Sequence, residues 1–168
     1  MSISPVKPAL EGLRILDLSQ VAAGPYATMF LGFMGAEVIK IESLSRMDIN
    51  RGKARPGPDD LRVYPNGDPG ERPWNRTAHH IHRNINKRSL TIDLATDRGK
   101  ELFLELVKVC DVLVENYRGS VMGRLGLGYD VVSSLNPQII YLKISSQGAS
   151  GPEANYGSLG STLEQTGG

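Results

Sequence analysis

Three short stretches carry the residue types that suit an anionic ligand: QVAAG at 20–24, ENYR at 115–118 and SSQG at 145–148. Ala22, Ala23 and Gly24 would let a ligand approach the backbone closely. A helix starting after them would offer free N–H groups to negative charge. The same small residues equally suit the tight packing of a buried helix on a sheet, and the turn alone leaves both readings open. Basic residues are the second clue. Arg46, Arg51, Lys53 and Arg55 open, and Arg72, Arg76, Arg83, Lys87 and Arg88 close, a long polar stretch; Arg118 and Arg124 come later. The planar guanidinium fork donates two parallel hydrogen bonds, which matches phosphate oxygens. Together these arginines fit a polyphosphate better than a neutral metabolite, while each taken singly reads as a solvated surface charge.

Other chemistries find less support. His79, His80 and His82 share one short stretch with Arg83, which disfavours a cation, and zinc needs ligands held tetrahedrally by rigid elements. They are expected to form a surface or interface cluster, with no metal. Cys110 reads as a small buried residue at a helix end rather than a nucleophile. The chain contains no G-x-S-x-G, P-loop or C-x-x-C motif, and its first strand–turn–helix lacks G-x-G-x-x-G.

The elements that must position these residues are legible in the hydrophobic pattern. LRILDLS at 13–19 reads as a strand, and Pro25 suits the first turn of a helix over 26–34. That helix is apolar nearly all round, which predicts burial on every side. Gly35 is its expected stop, and EVIKIE at 37–42 is the next strand. Residues 44–84, including RGKARPGPDD and YPNGDPGERP, have no sustained period. A connection of that length is either functional or disordered. Order resumes with RSLTIDL at 88–94, where Leu90, Ile92 and Leu94 alternate. Thr96 or Asp97 is the expected cap of a helix whose buried face holds Leu102, Phe103, Leu106, Val107 and Cys110. DVLVENY at 111–117 and QIIYLKIS at 138–145 are further strands; Gly-punctuated residues lie between them, and Asp130 is expected to cap a short helix ending at Asn136-Pro137. Repeated strand–helix–strand units predict an α/β fold, a Rossmann-like parallel sheet with helices on both faces. Ligands of such sheets sit beyond the carboxyl ends of the strands, where the three stretches fall.

Bulk properties bound the class. The 168 residues suit one domain, and 40% hydrophobic with 22% charged residues is ordinary for a soluble protein. Nineteen basic against 18 acidic residues give a net charge of +1, which argues against a nucleic-acid binder or a polybasic membrane protein. One cysteine forms no internal disulfide, so a reducing cytoplasm is expected. MSISPVKPALEG lacks the apolar core of a signal peptide. The apolar run at 26–39 is broken by Gly32, Gly35 and Glu37, well short of a membrane span.

In this order, D-L-S-x-V-x-A-G-P, N-K-R-S-x-x-x-D-L and D-V-x-x-E-N-Y-R resemble the class III CoA-transferases, a family that also includes 2-methylacyl-CoA racemases. The resemblance covers 10–42, 84–148 and 150–168. It implies that residues 1–168 form the N-terminal, CoA-binding part of a large Rossmann-like domain, with coenzyme A or acyl-CoA as substrate and no metal. It also implies a smaller domain from later sequence and an interlocked homodimer, or a heteromer with a related subunit. The CoA-binding turn falls on Val21, Ala22 and Ala23; Ile92, Asp93, Leu94 and Ala95 match a further contact segment; Asn116, Tyr117 and Arg118 match the stretch after the E-N motif; Arg124 matches an arginine near the CoA phosphates. Ala95 stands where some relatives carry lysine, and Ser43 where arginine is frequent.

The resemblance implies an aspartate nucleophile that attacks the acyl-CoA thioester, in a G-D motif expected after Gly168. Racemases of the family carry a His-Asp pair where this chain has Leu159 and Gly160, which favours the transferase over the racemase. A non-catalytic subunit is the remaining alternative. Glu164 is either turned to the same cleft from a helix or an ordinary solvent-exposed glutamate. The acid substrates are not readable from these residues.

Overall fold

The computed structural model describes residues 7–167. The first six residues, part of the stretch read for a leader, and Gly168 lie outside the described residues. Five parallel strands form one sheet in the order β3-β2-β1-β4-β5. They are β1 (Arg14–Asp17), β2 (Glu37–Glu42), β3 (Lys87–Thr91), β4 (Val112–Glu115) and β5 (Ile140–Lys143). Ile15 lies between Val38 and Val112, so β1 is the central strand. The chain moves outward from β1 to β3, then returns to lay β4 on the other side of β1. That reversal places a crevice between the loops that follow β1 and β4.

Alternation along the strands explains why both faces are covered. Ile15, Val38 and Val114 pack with Leu31 of helix α1 (Ala23–Phe33). Leu16, Leu18, Ile41 and Leu113 turn the other way, onto Phe103 and Val107 of α3 (Asp97–Val107) and Val132 of α5 (Tyr129–Leu135). Phe103 is fully buried, a contribution of about 1.5–3 kcal/mol from apolar surface removed from water. Of the two caps the sequence allows, Thr96 is the one used, accepting the Gly99 N–H at 3.0 Å, while Asp97 is the first residue of α3.

The structure departs from the sequence reading in several places, among them Leu102, expected on the buried face of α3 but 41% exposed. Helix α1 begins at Ala23 rather than near Tyr26, and it is not buried all round. Phe30 and Phe33 remain 60% and 55% exposed, because only the stripe through Thr28, Met29 and Gly32 is fully buried. Strand β3 ends at Thr91, and Ile92 and Leu94 stay in the core beyond its ladder. The residue that caps α5 is Gly128, and Asp130 sits in the first turn, where its charge complements the helix dipole. Finally, residues 44–84 are not featureless. Pro58, Pro65 and Pro73 each open a short 3-10 turn, since a proline in a first turn loses no hydrogen bond, and α2 (Ala78–Arg83) follows. Helices α4 (Val121–Arg124) and α6 (Gly160–Gly167) complete the described elements. No helix among the described residues is long and apolar enough to cross a membrane.

Candidate functional site

The turn after β1 is anchored from beneath by a buried carboxylate. Asp17 accepts hydrogen bonds from Ser19 N–H at 2.9 Å, Ser19 Oγ, Thr28 Oγ1 at 2.7 Å and Lys87 Nζ at 2.9 Å. Lys40 Nζ donates to the Ser19 carbonyl. Burial by itself would raise the Asp17 carboxyl, but Lys40, Lys87 and the two hydroxyls outweigh it and hold the group below its ordinary range. Directly above, Gly24 meets Ser19 so closely that a Cβ at position 24 would overlap the serine side chain. A glycine here is therefore a packing requirement as well as an opening toward the crevice.

Val21 is the conformational outlier of the turn, with φ of 68°. For a β-branched residue this left-handed conformation costs of order 1–3 kcal/mol and persists only where surroundings enforce it. The enforcement comes from the long segment. Asp48, 2% exposed, accepts the Val21 N–H at 3.1 Å through Oδ2. The Val21 carbonyl accepts from Asn50 Nδ2 at 2.7 Å and from Arg83 at 3.0 Å. The Arg83 guanidinium also lies 5.5 Å from the centre of the Tyr26 ring. With these groups engaged, the N–H groups of Ala22, Ala23 and Gly24 are left without a partner among the described residues.

The long segment is itself tied down by Glu42 at the end of β2. Arg51 grips both carboxylate oxygens, at 2.9 and 2.5 Å, and the Asp48 N–H adds a third bond at 3.1 Å. Burial pushes the Glu42 carboxyl upward, yet Arg51 and the Asp48 N–H overcome it and leave the group lowered.

Across the crevice, Asn116 after β4 clasps the same turn. Its Oδ1 accepts the Gln20 N–H and its Nδ2 donates to the Gln20 carbonyl, both at 2.7 Å. Glu115 is buried and raised by desolvation, and it accepts the Tyr117 N–H at 2.6 Å. Tyr117 packs against the core, where burial pushes its phenol up to about 12. Arg118 lies over Gly157 and lines an open cleft of about 510 Å³ with Gln147, Asn155 and Ser158.

Of the residues read from sequence, the fold brings Val21, Ala22, Ala23 and Asn116 together at the reversal of strand order. The Ile92–Ala95 segment follows the edge strand β3, two strands from β1. Ile92 and Leu94 are core residues there, Asp93 accepts the Ala95 N–H at 3.0 Å, and Ala95 is exposed. Arg124 is exposed on α4 and bonds Ser120 Oγ. Helix α6 carries an exposed Glu164 just after an exposed Leu159. Several basic residues read as phosphate partners have carboxylate partners within the chain, buried for Arg51 and Lys87 and at the surface for Lys53, Arg76 and Arg88. Arg51 pairs with Glu42, Lys53 with Asp60, Arg76 with Asp68, Lys87 with Asp17 and Arg88 with Glu37. The histidines do not act as one surface cluster. His79 and His82 are exposed, whereas His80 is buried and held below its ordinary range by desolvation and then by Arg51. No group of metal-ligating side chains forms among the described residues. Asp48 and Asn50 were missed by the sequence reading; the one available signal was an Asp-x-Asn turn pair soon after a strand.

The sequence model of CoA-transferase family III matches residues 10–168. The chain belongs to this family. Succinyl-CoA:glutarate CoA-transferase of Homo sapiens is 39% identical over 162 residues, which are 94% of this chain and 33% of that protein. Formyl-CoA:oxalate CoA-transferase of Streptomyces avermitilis is 37% identical over 148 residues, 88% of this chain and 32% of its own length. The chain thus spans about a third of the curated relatives it matches. Among solved structures, a CAIB/BAIF family protein from Brucella suis aligns over 95% of this chain and 39% of its own, with a TM-score of 0.77 and 33% identity. A hypothetical protein from Mycobacterium tuberculosis aligns over 93% of this chain and 38% of its own, with a TM-score of 0.72 and 34% identity.

Proposed function

We propose that these residues supply the CoA-binding share of a transferase that moves CoA from an acyl-CoA thioester to a carboxylic acid. The observation that carries this reading is the Val21–Gly24 turn at the reversal of strand order, open at three amides and clasped to Asn116. Backbone donors in such a crevice suit the polar and anionic parts of a ligand. Two similar proteins are named for exchange between a small acyl-CoA and a dicarboxylic acid, succinyl to glutarate and formyl to oxalate; an acid of that class is the proposed acceptor.

The proposed chemistry follows the family resemblance. An aspartate, sought beyond Gly168, attacks the thioester carbonyl, forming a mixed anhydride and releasing CoA as thiolate. The thiolate attacks the aspartyl carbonyl, which frees the donor acid and leaves an enzyme thioester. The acceptor acid then repeats the two steps in reverse, taking CoA and restoring the carboxylate. A carboxylate suits this role because its acyl and thioester forms both stay activated. Leu159 and Gly160, where racemases carry a His-Asp pair, favour the transferase over the racemase.

Titrating CoA into the 15N-labelled chain tests the site. The expected result is concentration-dependent amide shifts at Val21–Ala23 and Asn116–Arg118. Shifts confined to other surfaces, or none, would refute it.

A further inference from the structure

The residues that set the shape of the turn are not in the turn. Asp48, Asn50 and Arg83 reach Val21 from 27, 29 and 62 positions away. They occupy both polar groups of its peptide, the N–H through Asp48 and the carbonyl through the other two. They also bind each other. Asp48 Oδ1 accepts the Asn50 N–H at 2.9 Å and its Nδ2 at 3.0 Å, and Arg83 donates to Asn50 Oδ1 at 2.9 Å. Asn50 is fixed in turn through its carbonyl, which accepts from the buried Thr77 hydroxyl at the cap of α2.

This is an over-determined arrangement around one strained residue. A free valine would leave the left-handed region, and the peptide planes on either side of it would rotate. Those planes set the direction of the Ala22 and Ala23 amides. The carboxylate matters by type as well as by place. Oδ1 faces two donors of Asn50 and Oδ2 faces the Val21 N–H, so both oxygens must accept. An amide of the same shape would aim an NH2 at one of those donors.

We propose that Asp48, Asn50 and Arg83 are positioning residues for CoA: they hold Val21 left-handed and so aim the neighbouring amides into the crevice. The long segment between β2 and β3 is then part of the binding machinery without touching the ligand. The inference rests on the CoA reading above for its ligand, but its structural half stands apart from it.

The test uses the 168-residue chain, with φ-dependent scalar couplings of Val21 as one readout and CoA titration as the other. In the parent the couplings report positive φ. In D48N they shift toward the extended region, and CoA affinity falls about tenfold, as expected when one charge-assisted hydrogen bond is replaced by a donor facing a donor. Glycine adopts positive φ without a Cβ penalty, so adding Val21→Gly to D48N restores affinity to within about twofold of the parent. Arg83→Lys, which keeps the charge but loses the fork, gives a smaller shift in the same direction and serves if D48N does not fold. A positive φ that survives both D48N and Arg83→Lys overturns the clamp. Loss of affinity that Val21→Gly does not recover overturns the positioning role. Absence of CoA-dependent shifts in the parent overturns the CoA reading instead, and the coupling measurement still decides the clamp.

Discussion

On the α3 side of the sheet, Leu16, Leu113, Phe103 and Val107 meet as an apolar cluster. On the α1 side, Asp17, Lys40 and Thr28 are buried just as deeply, and the Lys87 side chain is only 1% exposed. Adjacent residues of one strand supply both environments, Leu16 to one and Asp17 to the other. The contrast separates two tasks. The α3 face is a source of stability through burial and has little else to arrange. The α1 face buries an ion pair whose desolvation offsets much of its attraction, and what it secures is the direction in which the chain leaves β1.

The contrast makes definite demands, of which the largest is that the two faces respond differently to pH. At neutral pH, Phe103→Ala is expected to cost about 3–5 kcal/mol through lost transfer energy and a cavity. Lys87→Met should cost a similar amount, about 3–5 kcal/mol, because it strips a partner from a buried carboxylate. Since the native Asp17 carboxyl is lowered, its contribution is present above the ordinary value of 3.8 and is lost as pH falls through the native value. The cost of Lys87→Met should therefore shrink below about pH 4, while that of Phe103→Ala stays constant. Urea denaturation across pH 3–7 measures both, and parallel pH curves for the two variants would erase the distinction.

Next in size is Gly24→Ala, which drives a methyl into Ser19 on the polar face. Overpacking of this kind costs about 1–3 kcal/mol, and here it should also displace the amides of the turn. Loss of stability in urea with unchanged Ala22 and Ala23 amide shifts would show that the anchor and the turn are independent. The smallest effect is expected at Thr96→Ala, which removes the cap of α3 for about 1 kcal/mol. Because that cap belongs to the apolar face, the amide positions of residues 20–24 should not change, and a spectrum recorded at neutral pH checks this.

Much of this architecture is written locally. The alternation of Leu90, Ile92 and Leu94, the cap at Thr96 and the small residues at 22–24 each follow from spacing within a few positions. The failures share a cause. Helix α1 is apolar all round, but hydrophobicity does not say which side a sheet will cover, and Phe30 and Phe33 are left exposed. The arginines read as phosphate partners because their type allows it; whether a carboxylate lies opposite depends on the fold, and for Arg51 it does. Asp48 and Asn50 carried no periodic signal, since their partners belong to another segment.

The sequence by itself determined the parallel α/β class, the place of the turn and, through its motifs, the family. The first two depend on torsions and faces that repeat every two or every three to four residues. Only the tertiary structure decided which polar groups meet. Asp17 and Lys87 are 70 positions apart, and Gln20 and Asn116 are 96 apart. The first contact exists because β3 lies beside β2, one strand out from β1 on the same face of the sheet, and the second because β4 returns to lie on the other side of β1. No local spacing encodes either event. The geometry of the site is therefore a property of strand order, expressed through side chains that the sequence leaves unconnected.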